Sequence, residues 1–145
     1  MSYFNQFKVT NLLIASSLIA IPAIAHNVEI SNEVAATFHI TPNHNPKAGQ
    51  QTQAWFALTR RGGQTIPLSE CSCSLNVYTI PRRADAEPIL QPNLSAINIE
   101  KYQEIPGAKI VFPQAGAYEL EMVGTAKDNS SFSPFELSYT VNVRP

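Results

Sequence analysis

Polar and apolar residues alternate along several short segments of the chain, and the clearest case lies near the C-terminus. The apolar members are Phe135, Leu137, Tyr139, Val141 and Val143, and the polar residues between them are Glu136, Ser138, Thr140 and Asn142. A period of two places all the apolar side chains on one face of a β-strand and all the polar ones on the other. The pattern therefore predicts a half-buried strand over residues 135–143.

The same period predicts strands at residues 118–122 and 53–59. In the strand at residues 53–59, Trp55 falls on the face opposite the alternating apolar residues. We expect Trp55 to lie under a loop or at a sheet edge. Shorter candidates bounded by Pro, Gly, Asn or Ser are residues 27–31, 35–40, 64–68, 75–80, 96–100 and 109–112. The turn Arg60-Arg61-Gly62-Gly63 predicts a hairpin between the Trp55 strand and residues 64–68, because paired glycines accept the positive φ angles of tight turns.

Prolines exclude a helical fold. The chain has 11 prolines spread along its length, and no window of about 11 residues keeps helical apolar spacing without a Pro or Gly. Residues 81–95 contain Pro81, Pro88 and Pro92 and are predicted to form a surface connection. Short strands at regular spacing with turns between them are typical of an all-β sandwich.

The N-terminal segment has the features of a cleavable export signal. Lys8 precedes an apolar run over residues 12–21, and the small residues of Ala23-Ile24-Ala25 follow it. The run is shorter than the ~20 residues of a membrane span, so we predict cleavage after Ala25 and one domain over residues 26–145. An uncleaved N-terminal anchor is the alternative. Cleavage predicts a protein without a membrane span, exported to a periplasm or the extracellular space.

Charge and motif content narrow the class of function. The formal net charge is −1, which gives no electrostatic footprint for binding nucleic acid. The sequence has no Gly-x-Ser-x-Gly elbow, no His-Glu-x-x-His helix and no glycine-rich phosphate loop. We therefore expect a protein that is not an enzyme. The charged side chains of Arg82, Arg83, Glu119 and Glu121 are predicted to be solvated.

Three histidines carry the sharpest chemical signal. Cleavage after Ala25 makes His26 the first residue, so that its α-amino group and imidazole Nδ1 form a chelating pair suited to square-planar Cu(II). His39 ends a predicted strand and His44 follows in a loop, at most ~18 Å away when extended. Either one completes a copper site if the loop folds back. In the alternative, His26 is an accident of the cleavage site, His39 is a half-buried strand residue and His44 is a turn residue.

Cys71 and Cys73 form a Cys-x-Cys pair, for which a disulfide is the first expectation in an exported protein. Residues i and i+2 of an extended strand lie ~6.5 to 7 Å apart at Cα, so a bridge between them needs a contracted backbone. Two free thiols that bind a soft metal such as Cu(I) are the second possibility. Intermolecular disulfides are the third.

Residues 112–120 contain Gly116-Ala117-Tyr118 and resemble the Gly-x-Tyr corner of immunoglobulin-like sandwiches, where the tyrosine hydroxyl bonds to the corner backbone. Together with the loop at residues 41–49, the strand after it and the Gly-Gly hairpin, this segment is similar to the exported YtkA-like and FixH-like domains, and more loosely to the CopC-like copper carriers. The resemblance covers most of residues 34–143. It implies a single immunoglobulin-like antiparallel β-sandwich of about seven to nine strands after the signal peptide.

The resemblance to CopC-like proteins also bears on the histidines. Those proteins begin, after signal cleavage, with a copper-binding His, and His26 takes that place in this sequence. Their further ligands are an Asp and a His late in the chain, whereas this sequence has no His after His44. Only His26 is therefore carried over from the family pattern.

Two functions follow as expectations. In the first, the protein binds copper through His26 with His39 or His44, and Cys71 and Cys73 are a possible second, softer site. In the second, it is a metal-free interaction module that presents a sheet edge or residues 81–95 to an envelope or membrane protein.

Overall fold

The computed structural model describes residues 27–129 and 131–145, which form two antiparallel β-sheets packed face to face. The strands are β1 (Asn27–Ser31), β2 (Val34–Ile40), β3 (Gln51–Thr59), β4 (Cys71–Thr79), β5 (Ser95–Ile99), β6 (Tyr102–Val111), β7 (Gly116–Ala126) and β8 (Phe135–Val143). One sheet has the order β1-β2-β3-β6-β5 and the other β4-β7-β8. This is the β-sandwich that the sequence predicts.

The predicted export signal, residues 1–25, and His26 lie outside the described residues. Within residues 27–129 and 131–145, no helix has the length and apolar character needed to cross a membrane. The one helical element in this part of the chain is a 3-10 turn at Leu68–Glu70, directly before β4.

Aromatic side chains join the two sheets in the core. Strand β8 alternates buried and exposed residues along its whole length, as its sequence pattern predicts. Its Tyr139 ring lies with its centroid 4.6 Å from that of Phe38, which stacks on Phe56 of the neighbouring strand at 5.1 Å. The Tyr139 hydroxyl donates a hydrogen bond of 3.2 Å to the Ala36 carbonyl across the sandwich. Burial of each such ring stabilises the fold by about 1.5–3 kcal/mol.

The predicted strand at residues 64–68 does not form. The turn before it is present, since Gly63 N donates to the Arg60 carbonyl at 2.9 Å and Arg60 N donates to the Gln64 carbonyl at 2.9 Å. Beyond one isolated bridge at Thr65, however, the chain leaves the sheet. Pro67 follows and has no N–H to donate to a neighbouring strand, so the 3-10 turn takes over.

Trp55 lies on the central strand of the five-stranded sheet. The expectation that it lies at a sheet edge is therefore wrong. Its side chain is buried on the outer face of the sheet, where Ile105 and the partly buried Ile97 and Tyr102 form a second, smaller apolar cluster with it. Ile97 packs over Gly107, where an added Cβ would lie 2.6 Å from Ile97 Cδ1. The outer face of this sheet is therefore a small core of its own.

The predicted connection at residues 81–95 joins β4 to β5, which begins at Ser95, and Arg82 ties it to the three-stranded sheet. Its Nη1 donates to Glu119 Oε1 at 2.5 Å and to Glu121 Oε2 at 2.6 Å, and its guanidinium carbon lies 3.4 Å from the Tyr78 ring centroid. Glu121 is only 6% exposed, so the prediction that it is solvated is wrong. Burial alone would raise the pKa of Glu121, but hydrogen bonds from Arg82 and neighbouring groups hold it below its usual value.

Candidate metal centre at the histidine pair

His39 lies on the outer face of β2, directly opposite Trp55 on β3. The two rings stack, with centroids 5.3 Å apart and planes inclined by 18°. The Tyr102 ring contacts the indole from further along the sheet, at a centroid distance of 5.9 Å. Because Trp55 is fixed in the outer apolar cluster, it also fixes the orientation of the His39 imidazole.

His44 lies in the loop that follows β2, and the loop folds back as the copper hypothesis requires. The backbone N–H of His44 donates to the Ile40 carbonyl at 2.8 Å, and that of Asn45 donates to the Pro42 carbonyl at 2.8 Å. His44 has φ 57°, in the left-handed region that costs a non-glycine residue about 1–2 kcal/mol. This turn brings the His44 ring to a centroid distance of 4.6 Å from His39, at an interplanar angle of 73°.

The C-terminal side of this loop is anchored to the end of the chain. Ala48 N donates to the Arg144 carbonyl at 2.9 Å, and Arg144 N donates to the Pro46 carbonyl at 3.0 Å. The Arg144 guanidinium adds a bond of 3.3 Å to the Asn45 carbonyl. Both sides of the loop are thus hydrogen-bonded to the sandwich, so the approach of His44 to His39 is built into the fold.

His44 lies at the edge of β2 along which β1 runs. Its ring contacts His39 on the outer face and also Phe38, which points inward, at a centroid distance of 5.6 Å. A ring that touches both faces lies at a strand edge, and β3 occupies the other edge of β2 at this level. The described part of β1 starts here, because Asn27 pairs with Phe38.

Two imidazoles therefore meet edge to face beside the start of β1. Nδ1 of His39 and Nε2 of His44 are both buried from solvent. Metal–nitrogen bonds of about 2.0–2.1 Å limit two nitrogens on one ion to a separation of about 4 Å. The His39 and His44 rings, whose centroids are 4.6 Å apart, are close enough for this. Among residues 27–129 and 131–145, no group of three or more His, Cys, Asp or Glu side chains is arranged to hold a metal ion.

Cys71 and Cys73 form a disulfide, the first of the three possibilities that the sequence left open. Their Cα atoms are 5.2 Å apart, less than the ~6.5 to 7 Å of an extended strand, so the backbone is contracted between them. Bonded sulfurs are not thiolates. A role in binding a soft metal therefore applies only to the reduced form, for which it stays a prediction.

The disulfide and the histidine pair lie at opposite ends of the sandwich. Cys71 lies by Phe135, the first residue of β8. Two residues before Phe135, Ser133 N donates to Glu33 Oε1 at 2.7 Å, which places this end of β8 beside the start of β2. The histidines lie at the other end of β2, about 20 Å away for a seven-residue strand. The structure thus brings His39 and His44 together but keeps both cysteines away from them.

No protein-family model matches the chain. No curated protein matches it either. The resemblance to YtkA-like, FixH-like and CopC-like domains therefore stays a prediction from the residues that carry it. The Tyr118 hydroxyl donates to the Gln114 carbonyl at 2.8 Å, which is the kind of hydrogen bond that a Gly-x-Tyr corner makes.

Proposed function

We propose that the exported, signal-free protein is a non-enzymatic copper-binding protein that holds one Cu(II) ion beside the start of β1. In this proposal the α-amino group and Nδ1 of His26 chelate the ion, and the imidazoles of His39 and His44 complete its set of nitrogen ligands. The observation that carries the proposal is the approach of the His39 and His44 rings to 4.6 Å at the point where the described part of β1 begins.

The connectivity of the chain supports the inclusion of His26. His26 directly precedes Asn27, and the strand partner of Asn27, Phe38, directly precedes His39. Consecutive Cα atoms are about 3.8 Å apart and paired ones about 4.5–5.5 Å, so these three steps span no more than about 13 Å. Two imidazole side chains reach across such a distance to a shared ion. An amino terminus created by cleavage after Ala25 therefore has the histidine pair within reach.

The donor set favours Cu(II) over other metals. An amino nitrogen and three imidazole nitrogens make four neutral nitrogen ligands, and square-planar nitrogen sites are typical of Cu(II). The two sulfurs that suit Cu(I) are bonded to each other at the opposite end of the sandwich. The prearrangement of these two half-buried imidazoles also lowers the cost of ordering ligands when the ion binds.

One observation favours the second function, a metal-free interaction module. Strand β1 lies at the edge of its sheet and exposes two large apolar side chains, Val28 at 56% and Ile30 at 72%. An exposed apolar edge strand is a ready site for pairing with another protein. In this account the partner is an envelope or membrane protein, and the histidine pair only packs the loop against the sheet.

A Cu(II) titration of the mature chain beginning at His26 separates the two functions. Calorimetry in the presence of a competing chelator should give one tight equivalent. His26→Ala, and a chain with one extra residue before His26, should both bind more weakly by more than the ~10-fold that loss of an outer-shell partner alone costs. Arg83→Ala, an exposed change in the β4–β5 connection, is the matched control and should bind as the parent does. Unchanged affinity in both His26 variants would leave the interaction module as the better account.

A further inference from the structure

The two sulfurs of the Cys71–Cys73 disulfide have different surroundings. Cys71 is 2% exposed and belongs to the apolar core. Cys73 is only partly buried and lines an open groove of about 360 Å³ between the edge of β4 and the segment from Gln91 to Leu94. Cys73 is therefore the more accessible of the two cysteines, and Cys71 is enclosed by the core.

The neighbouring strand leaves room for this disulfide. Gly124 on β7 pairs directly with Cys73. A Cβ atom at this position would lie 2.8 Å from Cys71 Sγ and 2.6 Å from Phe135 Cζ. Glycine weakens the interior of a strand and marks a close approach of other groups. Glycine at position 124 therefore avoids a collision both with Phe135 and with the bonded Cys71 sulfur.

The disulfide contributes little to holding the chain together. It closes a loop with a single residue between the cysteines, and the entropy that a disulfide removes from the unfolded chain is smallest for the shortest loops. Strand β4 is already paired with β7 at every position from Cys71 to Thr79. A bond with so small a structural effect is free to open and close while the fold persists.

The edge of β4 at the groove suits an extended peptide. Val77 N donates to the Leu90 carbonyl at 2.9 Å and its carbonyl accepts from Ile89 N at 2.7 Å, both on the side away from β7. Peptide groups of an antiparallel strand point to the same side at every second residue, so those of Leu75 and Cys73 point into the groove. A strand added there would place a side chain next to Cys73, as in peptide recognition by strand addition.

We propose that Cys71–Cys73 is a thiol–disulfide exchange site whose substrate is a dithiol carried on an extended segment of another exported protein. A thiolate of the substrate attacks Cys73 Sγ, the Cys71–Cys73 bond breaks, and Cys71 leaves and takes up a proton. The second thiolate of the substrate then attacks its own mixed-disulfide sulfur, and Cys73 leaves. The substrate loses two electrons and forms a disulfide, while Cys71 and Cys73 gain both electrons and become thiols.

The exchange site is independent of the proposed copper site. The disulfide and the histidine pair lie at opposite ends of β2. Loss of copper binding through His26 should leave the exchange chemistry unchanged, and loss of the disulfide should leave copper binding unchanged. Failure of one proposal therefore does not decide the other.

Reduction of the parent protein tests the proposal without any substitution. The probe is an unstructured peptide with two cysteines in a Thr- and Val-rich sequence, and glutathione at equal thiol concentration is the comparison. Without denaturant, the peptide should reduce the native disulfide at least ~10-fold faster than glutathione does, because the second thiol of the peptide completes the exchange. If the peptide reduces the disulfide no faster than the protein unfolds globally, as measured by hydrogen exchange under the same conditions, the proposal is overturned.

Two further pairs of variants test the role of each sulfur and of the groove. In Cys71→Ser the remaining Cys73 thiol should react with an aromatic disulfide reagent at least ~10-fold faster than the Cys71 thiol of Cys73→Ser, because access controls the rate. Asn93→Trp narrows the groove and should slow reduction by the peptide, whereas Ser72→Trp, on the exposed face of the same strand, should not. Equal thiol reactivity, or equal slowing by both Trp variants, would contradict the proposed site.

Discussion

His39 and Trp55 occupy directly opposite positions on β2 and β3, and their rings stack at a centroid distance of 5.3 Å. Trp55 is the only tryptophan of the chain. A paramagnetic Cu(II) ion held by His39 lies close enough to the indole to quench its emission. One equivalent of Cu(II) should therefore quench the fluorescence of the mature protein, whereas diamagnetic Zn(II) should not. His39→Phe keeps an aromatic ring on Trp55 and should remove most of the quenching; full quenching in this variant would exclude His39 as a ligand.

The left-handed backbone of His44 allows its imidazole to be removed without disturbing the loop. Asn adopts φ 57° more readily than other non-glycine residues. His44→Asn should therefore keep the backbone of the loop and destabilise the protein less than His44→Val does, while weakening Cu(II) binding at least ~10-fold. His44→Val also removes the ring, and in this backbone region it should cost about 1–2 kcal/mol in urea denaturation. Equal copper affinity in His44→Asn and the parent would rule out His44 as a ligand.

Glu121 should make the sandwich sensitive to acid. Its pKa in the folded protein lies below the ordinary 4.5, because hydrogen bonds from Arg82, Asn76 and Tyr78 outweigh the effect of burial. A lowered folded pKa gives stability that is present above the unfolded value and is lost as the pH falls through the folded one. Glu121→Gln should cost about 1–3 kcal/mol at pH 7 and less at pH 3.

Urea denaturation at several pH values measures this difference. Glu136→Gln, an exposed change on the same face of the three-stranded sheet, is the matched control and should have little effect at either pH. A cost of Glu121→Gln that is independent of pH would show that the ionised carboxylate does not stabilise the fold.

Gly107 is expected to be essential to the outer apolar cluster that fixes Trp55. An added methyl group would lie 2.6 Å from Ile97 Cδ1 and within 3.0 Å of two further atoms of that side chain. Gly107→Ala should therefore destabilise the protein by about 1–3 kcal/mol through overpacking. A double-mutant cycle with Ile97→Ala tests the cause, because the second substitution should then cost less in the Gly107→Ala background than alone. Additive costs would place the strain elsewhere.

Much of the fold could be predicted because half-buried strands follow a two-residue period. The predicted strands at residues 27–31 and 135–143 match β1 and β8. Where the prediction failed, a contact between distant residues decided the outcome. Glu121 looks solvated in its strand pattern, and its burial is explained by the cation of Arg82, 39 positions away, and by hydrogen bonds from Asn76 and Tyr78. Pro67 ends the predicted strand at residues 64–68 by removing one backbone donor.

The candidate site could be predicted only in part. The sequence identified His39 and His44 as candidate ligands, but their contact depends on the left-handed turn at His44 and on the hydrogen bonds that Arg144 makes to the loop. Trp55 was not recognised as part of the site, because its position opposite His39 becomes visible only once β2 and β3 are in register. A correct prediction of the register that pairs residue 39 with residue 55 would have placed Trp55 in the site.

The most direct test of the copper proposal is electron paramagnetic resonance of the mature protein, beginning at His26, with one equivalent of Cu(II). The account predicts a single tetragonal species with four nitrogen ligands, and one nitrogen fewer in His44→Asn. A spectrum that is identical in the parent, His39→Phe and His44→Asn, or a spectrum of weakly bound aqueous Cu(II) in the parent, would contradict it.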